Sequence, residues 1–219
     1  MSLYPGVLAG FAVVLNLLSS PAMAHESGHW QSADQMADAA QTFVASLDAS
    51  QTKTAVFPLD DSGRTTWSNL PIIMVRPGGL LLSEMSEEQR IATHRLLRAS
   101  MSSQGYAKFA GIMRLEDQAH LDALEQLNNN PDARPIGQAF ADAYDSTNYA
   151  VAIFGNPGQE NWGWKIAGHH AAVNFTVSNG RVGFTPTFLG SHPMIVQSGK
   201  HAGLMVLPQE GQRGLELMQ

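Results

Sequence analysis

Hydrophobic residues in this chain repeat at helical spacing up to Leu127 and at strand spacing from Tyr149 onward, which commits the two halves to different elements. Met36, Ala40, Phe43, Val44 and Leu47 make one apolar stripe behind a capping box at Ser32-Ala33-Asp34-Gln35. Ser86-Glu87-Glu88-Gln89 is a second box. Its two carboxylates sit in the first turn, where the helix dipole favours negative charge, and Ala92, Leu96, Leu97 and Met101 follow on one face. A third helical region runs from about Tyr106 to Leu127 through Phe109, Ile112, Met113, Leu121 and Leu124, with a break near its middle left open. Asn128–Asp132 is a loop. Between the first two helices, Phe57–Leu82 is rich in Pro and Gly, with a turn at Asp60-Asp61-Ser62-Gly63 and a short strand at Ile72–Val75.

In the second half, Tyr149–Phe154 reads as a buried strand ended by Gly155-Asn156-Pro157-Gly158. Trp164–Ser178 reads as one long strand. Asn179-Gly180 is a two-residue hairpin turn, because both residues tolerate positive φ. Arg181–Thr187 returns, with Pro186 at its edge or end. Helices first and an antiparallel hairpin later predict an α+β fold, a helical N-terminal half packed with an antiparallel sheet that contains a long C-terminal hairpin.

Residues 1–24 read as a cleavable signal peptide. An apolar run from Gly6 to Leu18 is followed by Ser19-Ser20-Pro21 and by Ala22-Met23-Ala24, the small-x-small pattern cut by signal peptidase. The run is short for a membrane span, which needs ~20 apolar residues. No Lys or Arg precedes it, which departs from the usual pattern. The expectation is a secreted or periplasmic protein whose mature part, residues 25–219, is a single domain. The net charge is −6 with no Lys/Arg cluster, which argues against nucleic acid and gives no polybasic signal for a membrane surface after cleavage. There is no cysteine, so no disulfide supports the fold and no thiolate is offered to a metal or a substrate.

Three stretches carry a family resemblance: Tyr149–Gly155; Trp162-Gly163-Trp164 through Gly168-His169-His170 to Asn174; and Thr185-Pro186-Thr187-Phe188-Leu189-Gly190. Together with Phe43–Gln51, Arg64–Pro71 and Gln89–Tyr106 they resemble the domain of unknown function 3500 family, over nearly the whole mature chain. The resemblance implies no established activity. Members usually run on well past the segment matching Val206–Gln219, so this chain reads as a C-terminal truncation or as a short variant.

The candidate chemistry centres on His169 and His170. A continuous hairpin about Asn179-Gly180 would pair Phe175 with Phe184 and His169 with Gly190, and would put His192 diagonal to His169 on one face. His170 would point the other way, so the two histidines would share a ligand only if a bulge at Gly168 intervened. The functional reading is a metal site for Cu or Zn, or an acid–base site, built from His169, His170 and His192 with Glu160, the nearest carboxylate in sequence. The other reading is an envelope or extracellular ligand-binding protein, not an enzyme, in which the histidines are structural.

Cleavage after Ala24 would expose His25 as a terminal residue, whose amine and ring could hold copper together with a further histidine. Trp162, Trp164 and Tyr149 form either a stacking surface for a glycan or small-molecule ligand or part of the core. Arg64 and Trp67 suit either an anionic ligand or a structural turn. His94 and His120 read as surface residues on helices. Neither a Gly-x-Ser-x-Gly elbow nor a Gly-rich phosphate loop occurs.

Overall fold

The structure is a computed structural model that describes residues 27–218, apart from 131 and 133. The signal-peptide segment and His25 lie outside the described residues. Among the described residues there are six α-helices: α1 (Ser27–Ala45), α2 (Ala49–Ala55), α3 (Glu87–Ser100), α4 (Ser103–Asn129), α5 (Arg134–Ala143) and α6 (Pro208–Glu216). Seven strands form one sheet: β1 (Val56–Phe57), β2 (Leu80–Leu81), β3 (Ala150–Phe154), β4 (Asn161–Gly168), β5 (Ala171–Ser178), β6 (Arg181–Gly183) and β7 (Thr187–Leu189). The order is β1-β3-β4-β5-β6, with β2 also on β3 and β7 also on β5. Among the described residues only β1 against β3 is parallel. The fold is α+β with a helical N-terminal half, as the change of period requires. Among the described residues no helix is long and apolar enough to cross a membrane.

Side-chain alternation explains the layers. Tyr149, Val151 and Ile153, then Trp162, Trp164 and Ile166, then Val173, Phe175 and Val177 share one face and pack on Met36, Phe43, Leu96, Leu97, Phe109 and Ile112 of the helices. Trp164 stacks on Phe175 at 4.9 Å, and its indole N–H meets the Met36 sulfur at 3.3 Å. The opposite face bears mostly small or polar residues, Ala152, Gly163, Lys165, Ala167, Ala172 and Asn174, with Phe154 beside Lys165. The segment 58–79 covers it, because buried Lys165 donates to the carbonyls of Gly63 (2.5 Å) and Thr66 (2.8 Å). A sheet covered on both faces reads as near-continuous apolar runs, as β3 to β5 do.

Several elements differ from expectation. Helix α1 starts at Ser27, upstream of the proposed box at Ser32. The box at Ser86 forms, with Gln89 reciprocating, and a further one joins Asp48 to Gln51 at the start of α2. Helix α4 runs unbroken. Residues 72–75 form a turn rather than a strand, and Ile73, Met74 and Val75 are exposed. The return strand divides into β6 and β7 around a cis Thr185–Pro186 peptide.

The largest change is that Trp164–Ser178 is two strands, not one. Gly168 pairs with Ala171, so His169-His170 is a second two-residue hairpin turn. It carries neither Gly nor Asn. His170 itself takes φ 63°, a region in which Asn, Asp and His are the usual non-glycine occupants.

His94 and His120 are half-buried, not surface residues. His120 Nδ1–H donates to the Ala141 carbonyl at 2.7 Å, tying α4 to α5. His94 Nδ1 lies 3.1 Å from the Tyr106 hydroxyl, between α3 and α4. Burial first and the Arg98 guanidinium second hold the His94 imidazole below its ordinary value of 6.5. As pH falls through that value the unfolded chain takes up a proton before the folded one does. Stability therefore falls over this window as pH drops and is regained as pH rises. Urea unfolding of wild type and His94→Gln between pH 7 and pH 5 should show a shallower decline in the variant. Parallel curves would assign the slope to other groups.

Candidate metal centre

The His169-His170 turn faces α4, and the residue that meets it is Glu116. On α4 the buried side chains include Phe109, Ile112, Met113, Leu115, Glu116 and Ala119, so the carboxylate stands within the helix's core-facing stripe, 1 % exposed. His169 Nδ1 lies 2.8 Å from Glu116 Oε2, and His170 Nδ1 lies 3.0 Å from Glu116 Oε1. The two rings are in contact, with centroids 3.6 Å apart. Ligand atoms of the three residues all fall within 4.8 Å of one another.

Burial pushes the Glu116 carboxyl up. Hydrogen bonds from His169 and His170, then their charges, act the other way and leave it below its ordinary value of 4.5. It is therefore ionised at neutral pH. An ionised carboxylate only accepts, so each Nδ1 carries a proton and donates.

The backbone of the turn is tied down on every side. His170 N–H donates to the Asn69 carbonyl at 3.2 Å, Gly190 N–H donates to the His170 carbonyl at 2.7 Å, and the Tyr149 hydroxyl donates to the His169 carbonyl. Gly168 is required next to the turn, because a Cβ there would stand 2.6–2.8 Å from the Tyr149 ring. A positive φ on a non-glycine residue persists only where its surroundings over-determine it, as these contacts do.

Around the cluster, the Tyr144 ring lies 5.5 Å from His169 and the His192 ring 5.9 Å from His170. Tyr144 and His192 also line a cavity of about 460 Å³ between α4, α5 and the His192-Pro193 segment. The cavity thus reaches the cluster through these two rings.

The structure brings His169 and His170 together and sets His192 beside His170 rather than diagonal to His169. The register explains this. Ser178–Arg181 pairing holds at the Asn179-Gly180 turn, but β7 pairs with β5 one residue out of step, Ala171 with Leu189, so His170 and not His169 meets Gly190. Glu160 is not part of the cluster. It adjoins the start of β4 and the histidines adjoin its end, a separation of roughly 30 Å at ~3.3 Å per residue. Glu116 takes the carboxylate role instead. Trp162, Trp164 and Tyr149 are buried to 1 % exposure or less, so they are core and offer no sugar-stacking surface. Arg64 closes the short 3₁₀ turn Ser62–Arg64, and Trp67 stacks on Phe188 at 6.0 Å.

Replacing Glu116 with Ala strands two imidazole donors in a buried site. The expected cost is about 3 kcal/mol or more, read by urea unfolding in chelator. His192→Ala, at an exposed position, should cost less than about 0.5 kcal/mol. Equal effects would show that the Glu116 contacts contribute nothing special to stability.

No curated protein and no solved structure matches the chain. Its agreement with a family model is nonetheless extensive: over residues 29–219 it matches the family described as protein of unknown function (DUF3500), and it belongs to that family.

Proposed function

We propose that the protein is an exported metal-binding protein whose centre is His169, His170 and Glu116. The observation that carries this reading is the convergence of two adjacent imidazole Nδ1 atoms on one buried carboxylate. Two imidazoles and a carboxylate suit Zn or Cu, whereas Ca and Mg demand mostly oxygen. At zinc distances, tetrahedral ligand atoms stand roughly 3.3 Å apart. The observed 2.8 and 3.0 Å separations need to widen by only a few tenths of an ångström. An ion taken at Nδ1 leaves each ring proton on Nε2, and only the neutral ring is a ligand, so affinity should fall as pH is lowered. A three-ligand ion retains a position for water or substrate, with His192 as the nearest further imidazole.

The same hydrogen bonds favour a variant of this reading. In it the Nε2 atoms bind the ion and Glu116 orients the rings, as carboxylates beside metal-bound histidines commonly do. Glu116→Gln separates the two. Loss of binding marks a direct ligand, and a loss of roughly 10–100-fold marks an orienting residue.

The primary test is metal content and calorimetric titration with Zn and Cu of protein carrying its native mature terminus. One ion per chain is expected, with affinity reduced at least roughly 100-fold in His169→Ala and in His170→Ala. Sub-stoichiometric, weak binding that both variants share would overturn the reading. N-terminal sequencing of the exported protein tests cleavage after Ala24. If His25 joins a copper site, an extra residue placed before it should abolish that contribution.

A further inference from the structure

We propose that the cavity between α4 and α5 is a binding groove for a neutral carbohydrate. Its two walls differ in chemistry. On α4, Asp122 and Gln126 lie one turn apart on the groove wall, and Asn130, which caps the C-terminus of the helix, adds a third planar carbonyl-bearing group. Facing them, Phe140 of α5 and Tyr144 just beyond it are also four residues apart and line the opposite wall. Hydroxyl-bearing rings need this pairing, an apolar ring face for their C–H surface and amide or carboxylate groups for their hydroxyls.

The charge pattern narrows the class. Among the described residues that line the groove there is no lysine or arginine, and Asp122 is the one acidic residue. Phosphates, sulfates and uronates are disfavoured there, and the net charge of −6 disfavours them further. Asp122 is already positioned, because Gln118 Nε2 donates to its Oδ1 at 2.7 Å. At one end the helices close together. Gly137 makes this possible, since a Cβ there would stand 2.4 Å from the Leu127 side chain. Toward the other end lie Tyr144 and His192, the two rings that touch His169 and His170. A sugar chain seated on Phe140 and Tyr144 is thereby directed to the histidine turn.

As the substrate class of the metal centre, this proposal rests on the preceding reading; as a binding site it stands on the groove alone. The test therefore separates them. Titrate metal-free protein, in chelator, with β-1,4-linked oligomers of glucose, xylose and N-acetylglucosamine and with α-1,4-linked glucose oligomers, following binding by calorimetry and ligand-observed NMR. Adenosine serves as a stacking ligand that lacks a sugar chain. At least one oligosaccharide series should bind. Phe140→Ala should weaken it roughly tenfold or more and Gln126→Ala several-fold, while Trp67→Ala, at an exposed aromatic that does not line the groove, leaves it unchanged. Both groove positions are solvent-exposed, so the variants should keep the wild-type circular dichroism and melting temperature. No binding at millimolar concentration, equal loss in Trp67→Ala, or binding of adenosine alone would overturn the groove proposal. Metal content measured on the same variants reports separately on the histidine centre and should be unaffected by Phe140→Ala.

Discussion

A single buried carboxylate organises the join between the helical and strand halves of this protein. Glu116 accepts one hydrogen bond from each of two consecutive histidines. In doing so it binds the middle of α4 to the tip of the β4–β5 hairpin. An ionised group at 1 % exposure is expensive unless its lone pairs are met, and here both oxygens are met by groups from the other half of the fold. The arrangement also explains the unusual turn. His170 tolerates its positive φ because the ring it aims is held by the carboxylate and the peptide is held by Asn69 and Gly190. Local strain and tertiary pairing are thus two sides of one contact.

The sheet supports this contact from beneath. Tyr149 is the link, buried in the core on the face that packs against the helices, with its hydroxyl on the His169 carbonyl. Burial first, then the charges of Glu116 and Asp117, push the Tyr149 phenol well above its ordinary value of 10.0, so it remains a donor. Core packing and site geometry therefore share a residue. Trp162 and Trp164, by contrast, serve packing alone.

The change of period at Tyr149, the Ser86 capping box and the Asn179-Gly180 turn were legible because each is a local rule that the tertiary structure obeys. The His169-His170 turn was not. Its two central positions carry neither Gly nor Asn, and what holds it is a carboxylate more than fifty positions earlier. Glu160 lies apart from the histidines because nearness in sequence along a strand is distance in space. A usable signal did exist on α4. Phe109, Ile112 and Met113 lead at helical spacing to Glu116, an acid in an apolar stripe, and such an acid demands a partner. The one-residue slip between β6 and β7 has no counterpart in the hydrophobic pattern. It arises where Pro186 interrupts the ladder, and it is what puts Gly190 opposite His170.

Helix α4 has a mechanical consequence. Unbroken from Ser103 to Asn129, it is a rod roughly 40 Å long at ~1.5 Å per residue. Glu116 and Asp122 lie about 9 Å apart along it, with no proline between them to act as a joint. A tilt or axial slip imposed at one position is delivered to the other nearly undiminished. The imidazole clamp and the groove wall therefore share one rigid element, and any coupling it carries between them is reciprocal, equal in free energy in both directions.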